Sequence, residues 1–88
     1  MSKPLILVVE DDVTVRNLII TALDSSGYRH TEAPDGASAI SRSSTMQPDI
    51  ILLDLGLPDM DGVQIIERVL TWSQTPIIVI SARSDDSD

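Results

Sequence analysis

A chain of 88 residues has room for one domain and a marginal core. It holds no cysteine, which excludes a disulfide framework, a thiolate zinc site and thiol chemistry, and suits a cytoplasmic location. The formal net charge of −8 leaves no basic footprint for DNA or RNA, and no apolar stretch approaches a membrane span, so this segment is expected to bind neither nucleic acid nor membrane.

Leu5-Ile6-Leu7-Val8-Val9 is a continuous apolar run, as expected of a strand buried on both faces. Asp12 or Thr14 can cap the helix that follows, in which Val15, Leu18, Ile19, Ala22 and Leu23 recur at helical spacing toward the core and Gly27 marks the stop. Tyr28 to Ala33 alternates and carries charge, which fits an outer strand, and Asp35-Gly36 is a turn. Ala37, Ile40 and Met46 give a weaker inward stripe before a Ser-rich stretch and Pro48. Ile50 to Leu53 is a second buried strand. A loop with Pro58 and Gly62 leads to a helix expected to turn Val63, Ile66, Val69 and Leu70 inward. Pro76 introduces Ile77-Ile78-Val79-Ile80, a further buried strand. Strands alternating with helices at this spacing argue for a parallel α/β sheet with helices on both faces.

Such sheets place their sites outside the carboxyl ends of the strands. The first strand ends in Glu10-Asp11-Asp12, the third in Asp54 and the fourth in Ser81. If the first and third strands are neighbours, Asp11 and Asp54 meet across a crevice, and the clustered carboxylates need a cation, a proton or open water. An all-oxygen shell of two or three carboxylates, a backbone carbonyl and waters suits Mg²⁺. A rim carboxylate beside such a metal is a candidate phosphoryl acceptor, and Ser81 is near enough to hydrogen-bond a phosphoryl oxygen.

Each of these residues also has a plainer reading. A single strand-end Asp is more often a helix cap or turn former, and Asp12 is kept in that role. One cap does not need three acids, so Glu10, Asp11 and Asp54 together stay with the site. Ser81 alone would be a turn residue. Asp59 and Asp61 read as solvated or capping, with Asp61 able to cap the third helix. His30 lacks a companion His or Cys and reads as structural, and Trp72 reads as a cover for the end of the third helix. Neither GxGxxG nor GxxxxGK[ST] occurs, so a dinucleotide site or P-loop has no support.

These residues resemble a known family, the receiver domain of bacterial two-component response regulators. Val8-Val9-Glu10-Asp11-Asp12 is similar to its first acidic signature. Leu52-Leu53-Asp54-Leu55-Gly56-Leu57-Pro58-Asp59-Met60-Asp61-Gly62 is similar to its phosphorylation segment, with Pro and Gly at offsets of four and eight from the Asp. Pro76-Ile77-Ile78-Val79-Ile80-Ser81-Ala82 resembles the strand that carries its switch hydroxyl. More narrowly, Leu53-Asp54-Leu55-Gly56-Leu57-Pro58-Asp59, Trp72-Ser73 and Ser81-Ala82-Arg83-Ser84 resemble the potassium-responsive regulators of the Kdp system, in the winged-helix DNA-binding class.

The resemblance implies a doubly wound, flavodoxin-like sheet of order 2-1-3-4-5. Residues 1–88 would supply its N-terminal part, with strand order 2-1-3-4, lacking the fourth helix, fifth strand and fifth helix. It implies that Asp54 accepts a phosphoryl group from a sensor histidine kinase. Glu10, Asp11, Asp54 and the Gly56 carbonyl would hold Mg²⁺, and Ser81 would carry the switch hydroxyl. Control of transcription would pass through a C-terminal DNA-binding domain of a longer parent. The family also uses a lysine at the end of its fifth strand. The only lysine here, Lys3, precedes the first strand, so a lower phosphorylation yield is expected. The apolar fourth strand has no cover for its outer edge, which predicts self-association. Two rivals remain. One is a Mg²⁺-dependent phosphatase or phosphotransferase of another α/β class, which commonly places an acid two residues past the nucleophile, where this chain has Gly56. The other is a non-phosphorylated interaction module.

Overall fold

The computed structural model describes residues 3–80. Four strands, β1 (Leu5–Val9), β2 (Arg29–Ala33), β3 (Ile50–Leu53) and β4 (Ile77–Val79), alternate with three helices, α1 (Val13–Ser25), α2 (Gly36–Met46) and α3 (Gly62–Leu70). All strand pairs are parallel and the order is β2-β1-β3-β4. The expected doubly wound sheet is therefore present in the expected order. The fourth strand is shorter than the apolar run, yet Ile80 still donates its N–H to the Leu53 carbonyl at 2.9 Å.

The strands end flush at one edge. Val9 lies opposite both Ala33 and Leu53, and Leu53 lies opposite Val79. The ladder continues one residue further, with Glu10 N–H to the Ala33 carbonyl at 3.1 Å and Asp54 N–H to the Val9 carbonyl at 3.0 Å. This register puts residues 10 and 54 side by side.

One face of the sheet forms the core. Leu7, Val9, Ala33, Ile51 and Leu53 pack there with Ala39 of α2 and with Ile65 and Val69 of α3. Burying a side chain of the size of Leu53 or Ile65 contributes roughly 1.5–3 kcal/mol. The alternate residues Ile6 and Val8 turn to the opposite face and are also buried, with α1 packing on β1 and β2.

Asp12 and Asp61 cap α1 and α3 as foreseen, and Asp35, read from the sequence only as part of a turn, caps α2. Asp12 Oδ1 accepts from Val15 N–H at 3.1 Å, Asp35 Oδ1 from Ser38 N–H at 2.8 Å, and Asp61 Oδ1 from Val63 N–H at 3.0 Å. Gly27, at φ 81°, takes the left-handed conformation that ends α1.

The inward stripes differ from expectation. In α2 the buried line is Gly36, Ala39 and Ser43, with Ile40 at its margin, whereas Ala37 and Met46 are exposed. Small residues on that line let the helix sit close to the sheet, and this places the larger Met46 outside. In α3 the line is Gly62, Ile65 and Val69, while Val63 and Leu70 are exposed. In α1 no residue is fully buried. Ile19 and Leu23 are half-buried, and Val15, Leu18 and Ala22 are exposed, because only the side toward β1 and β2 is covered. Trp72, foreseen as a cover for the end of α3, is itself half exposed.

Candidate functional site

The flush carboxyl edge gathers three acids. Glu10 and Asp54 follow directly on β1 and β3 and are buried, with relative exposures of 6% and 4%. Asp11 comes next on the chain and is exposed. One carboxylate oxygen from each of the three lies within 4.8 Å of the others. The structure thus brings together the three acids singled out in the sequence.

Local bonds orient them. Glu10 Oε2 accepts from Asp12 N–H at 3.1 Å, and the Glu10 carbonyl accepts from Arg16 Nη1 at 2.8 Å. Asp54 Oδ1 accepts from Gly56 N–H at 3.1 Å, which ties the start of the β3–α3 loop back to the cluster. Arg16 also places its Nε 3.4 Å from Glu32 Oε1, an ion pair toward β2.

The Glu10 carboxyl shows the resulting conflict. Burial pushes its pKa up to about 7, the Asp12 amide opposes that rise, and the hydrogen bond and charge of Asp54 add to it, followed by the charge of Asp11. A divalent cation would remove this conflict by giving the carboxylates a shared opposite charge. The donors are all oxygen and include no imidazole or sulfur, which suits a hard ion such as Mg²⁺ that retains several waters.

Several other acids have structural roles. Asp12, Asp35 and Asp61 cap helices, and the Asp61 cap is a full capping box with Gln64. The Ser38 hydroxyl, and then its amide, hold the Asp35 carboxyl below the usual range. His30 pairs with Asp24 at 3.0 Å, in keeping with a structural role. Sequence reasoning missed the partner of Asp59, which accepts from the amides of Gly36 and Ala37. Ser81 lies outside the described residues; the chain reaches Ile80 beside the Leu53 carbonyl, at the same edge.

Comparison with known proteins gives a consistent picture. Residues 6–88 match the response regulator receiver domain. The KDP operon transcriptional regulatory protein KdpE of Escherichia coli K12 is 45% identical over 83 residues, covering 94% of this chain and 37% of that protein. KdpE of Mycobacterium tuberculosis H37Rv is 38% identical over 84 residues, covering 96% of this chain and again 37% of the relative. The chain therefore spans just over a third of the length of these curated relatives. Among solved structures, the receiver domain of the sensor histidine kinase PA1611 of Pseudomonas aeruginosa PAO1, with a magnesium ion coordinated in its active site cleft, superposes with a TM-score of 0.89 at 31% identity. That match covers 99% of this chain and 74% of the other. The chemotaxis protein CheY4 of Vibrio cholerae superposes at 0.83 with 26% identity, covering 89% and 68%. With its strand order, its acidic edge and its sequence all in agreement, the chain belongs to the response regulator receiver domain family.

Proposed function

We propose that Asp54 is the phosphoacceptor of this receiver domain. Residues 1–88 are read as its N-terminal part, and the donor as a phosphohistidine on a sensor histidine kinase. The observation that carries the reading is the convergence of Glu10, Asp11 and Asp54 within 4.8 Å at the ends of two adjacent strands. In the transfer, an Asp54 carboxylate oxygen forms a bond to phosphorus. The phosphorus–nitrogen bond breaks, and its electron pair stays on the departing imidazole. The product is an acyl phosphate on Asp54.

Glu10, Asp11, Asp54 and the Gly56 carbonyl would hold Mg²⁺, whose charge offsets that of the phosphoryl oxygens. Glu10 and the Asp12 amide that bonds it form the floor of the site. The Gly56 N–H orients Asp54 through Oδ1. Ser81 would offer its hydroxyl to a phosphoryl oxygen. In a longer parent of the KdpE kind, the phosphorylated state would control transcription through a C-terminal DNA-binding domain.

Incubation with acetyl phosphate and Mg²⁺, followed by intact-mass measurement, tests the reading. One added phosphoryl group is expected on the wild-type chain and none on Asp54→Ala. Equal modification of both proteins would exclude Asp54 as the acceptor.

A further inference from the structure

The loop between β3 and α3, residues 54–61, is fixed at both ends and in the middle. At its start Gly56 N–H binds Asp54 Oδ1, and at its end Asp61 caps α3. Between them Asp59 reaches across to a different element. Its Oδ1 accepts from Gly36 N–H at 2.7 Å, and its Oδ2 accepts from Ala37 N–H at 3.0 Å, both in the first turn of α2. Each oxygen takes one amide, giving a charge-assisted fork at the positive end of a helix dipole. These are amides that the N-cap Asp35 does not serve, since its Oδ1 takes Ser38 N–H.

The contact is close-packed as well as polar. A Cβ added at Gly36 would collide with the Met60 side chain and come 3.2 Å from Asp59 Oδ1. The loop therefore docks onto α2 over Gly36, and Asp59 is the polar anchor of that dock. Asp59 is not one of the clustered acids, and both of its oxygens are engaged by α2. Any influence on the site passes through the loop that carries Gly56.

We propose that Asp59 is a positioning residue for the acidic site, holding the Asp54–Gly56 segment against Glu10 and Asp11 by anchoring its loop to α2. This rests on the reading of the site as a Mg²⁺-assisted phosphoacceptor. The plainer alternative is that Asp59 only helps to cap α2.

Two readouts separate these roles: amide hydrogen exchange without metal, and Mg²⁺ affinity by calorimetry. For Asp59→Ala, exchange at Gly56 is expected to quicken and Mg²⁺ affinity to fall about 10-fold, the lower end of what loss of a group orienting metal ligands costs. Exchange along the body of α2 is expected to stay slow. Asp59→Asn keeps one acceptor oxygen and should fall between Asp59→Ala and wild type; it also serves if the alanine variant folds poorly. Gly36→Ala disturbs the same dock from the other side with Asp59 intact, so it should shift both readouts in the same direction. Combined with Asp59→Ala it should add less than the sum of the two effects. Unchanged Gly56 exchange and Mg²⁺ affinity in Asp59→Ala would overturn the proposal. So would quickened exchange confined to α2, which would mark Asp59 as a cap alone. If the wild-type chain bound no Mg²⁺, the phosphoacceptor reading would fail separately, and Gly56 exchange would still decide whether Asp59 positions the loop.

Discussion

Glu10 and Asp54 occupy matched positions, each one residue beyond strands that pair Val9 with Leu53, and both carboxyls are buried at the same sheet edge. The pairing of β1 with β3 forces the two acids together. Folding therefore brings like charges into contact, and the chain resolves this by keeping a proton on Glu10 until its pKa of about 7.

The pH dependence of stability follows from that proton. The folded-state pKa of Glu10 is raised from 4.5 to about 7, so the folded chain holds the proton more tightly than the unfolded chain. Its contribution to stability is full below 4.5 and is lost as pH rises to about 7. Without divalent metal, unfolding free energy should decline across this window by at most about 3 kcal/mol, a ceiling that solvent screening at the open sheet edge lowers. Glu10→Gln, which cannot ionise, should flatten the decline. Asp35 acts in the opposite direction. Its depressed pKa gives stability that is lost only on acidification through the depressed value, below this window. Urea titrations in chelator from acid to neutral pH check both expectations. A flat wild-type profile would count against the protonated Glu10.

Mg²⁺ should reverse that decline. The ion competes with the Glu10 proton, so its stabilising effect should grow with pH. Asp11 is the most exposed of the three acids and, unlike Glu10 and Asp54, does not belong to the buried floor. Asp11→Ala should therefore fold normally while weakening Mg²⁺ about 10-fold or more, because one anionic oxygen leaves the shell. Calorimetric titration of both proteins at one pH decides this. Equal affinities would move the metal away from Asp11.

The fold and the convergence of the three acids were legible because β1 and β3 are short apolar runs that each end directly in a carboxylate, and a parallel sheet aligns such ends. Helix phase was less legible. Apolar residues cover more than one flank of α3, so Val63, Ile66, Val69 and Leu70 make a plausible stripe while the buried line runs through Gly62, Ile65 and Val69. Periodicity cannot weigh a glycine that is buried because a loop packs on it. The bond from Asp59 to Gly36 spans 23 positions and leaves no local pattern.

The α3 phase yields a direct comparison. Ile65 is 1% exposed and belongs to the core cluster, whereas Val63 is 50% exposed. Ile65→Ala should cost about 2–5 kcal/mol, and Val63→Ala about 0.5 kcal/mol or less. Chemical denaturation measures both. Similar losses at the two positions would show that the stripe inferred from the sequence is the buried one.

The last expectation concerns the sheet edge formed by β4. Among the described residues, β4 pairs only with β3, so the backbone groups along its other side have no strand partner. Ile78 and Val79 are 50% and 45% exposed. Their side chains alternate between the two faces of the sheet, so apolar surface is open on both. Water satisfies the backbone groups but does not remove the cost of exposing the side chains. This 88-residue chain should therefore associate with itself in a concentration-dependent way, through edge pairing or by burying these faces against a second copy. Light scattering over a concentration series, repeated for Ile78→Lys, checks it: association is expected in the wild type and a loss of association in the variant. A wild-type chain that stays monomeric at high concentration, with slow amide exchange along β4, would mean that the edge is covered from within the chain and that association through it does not occur.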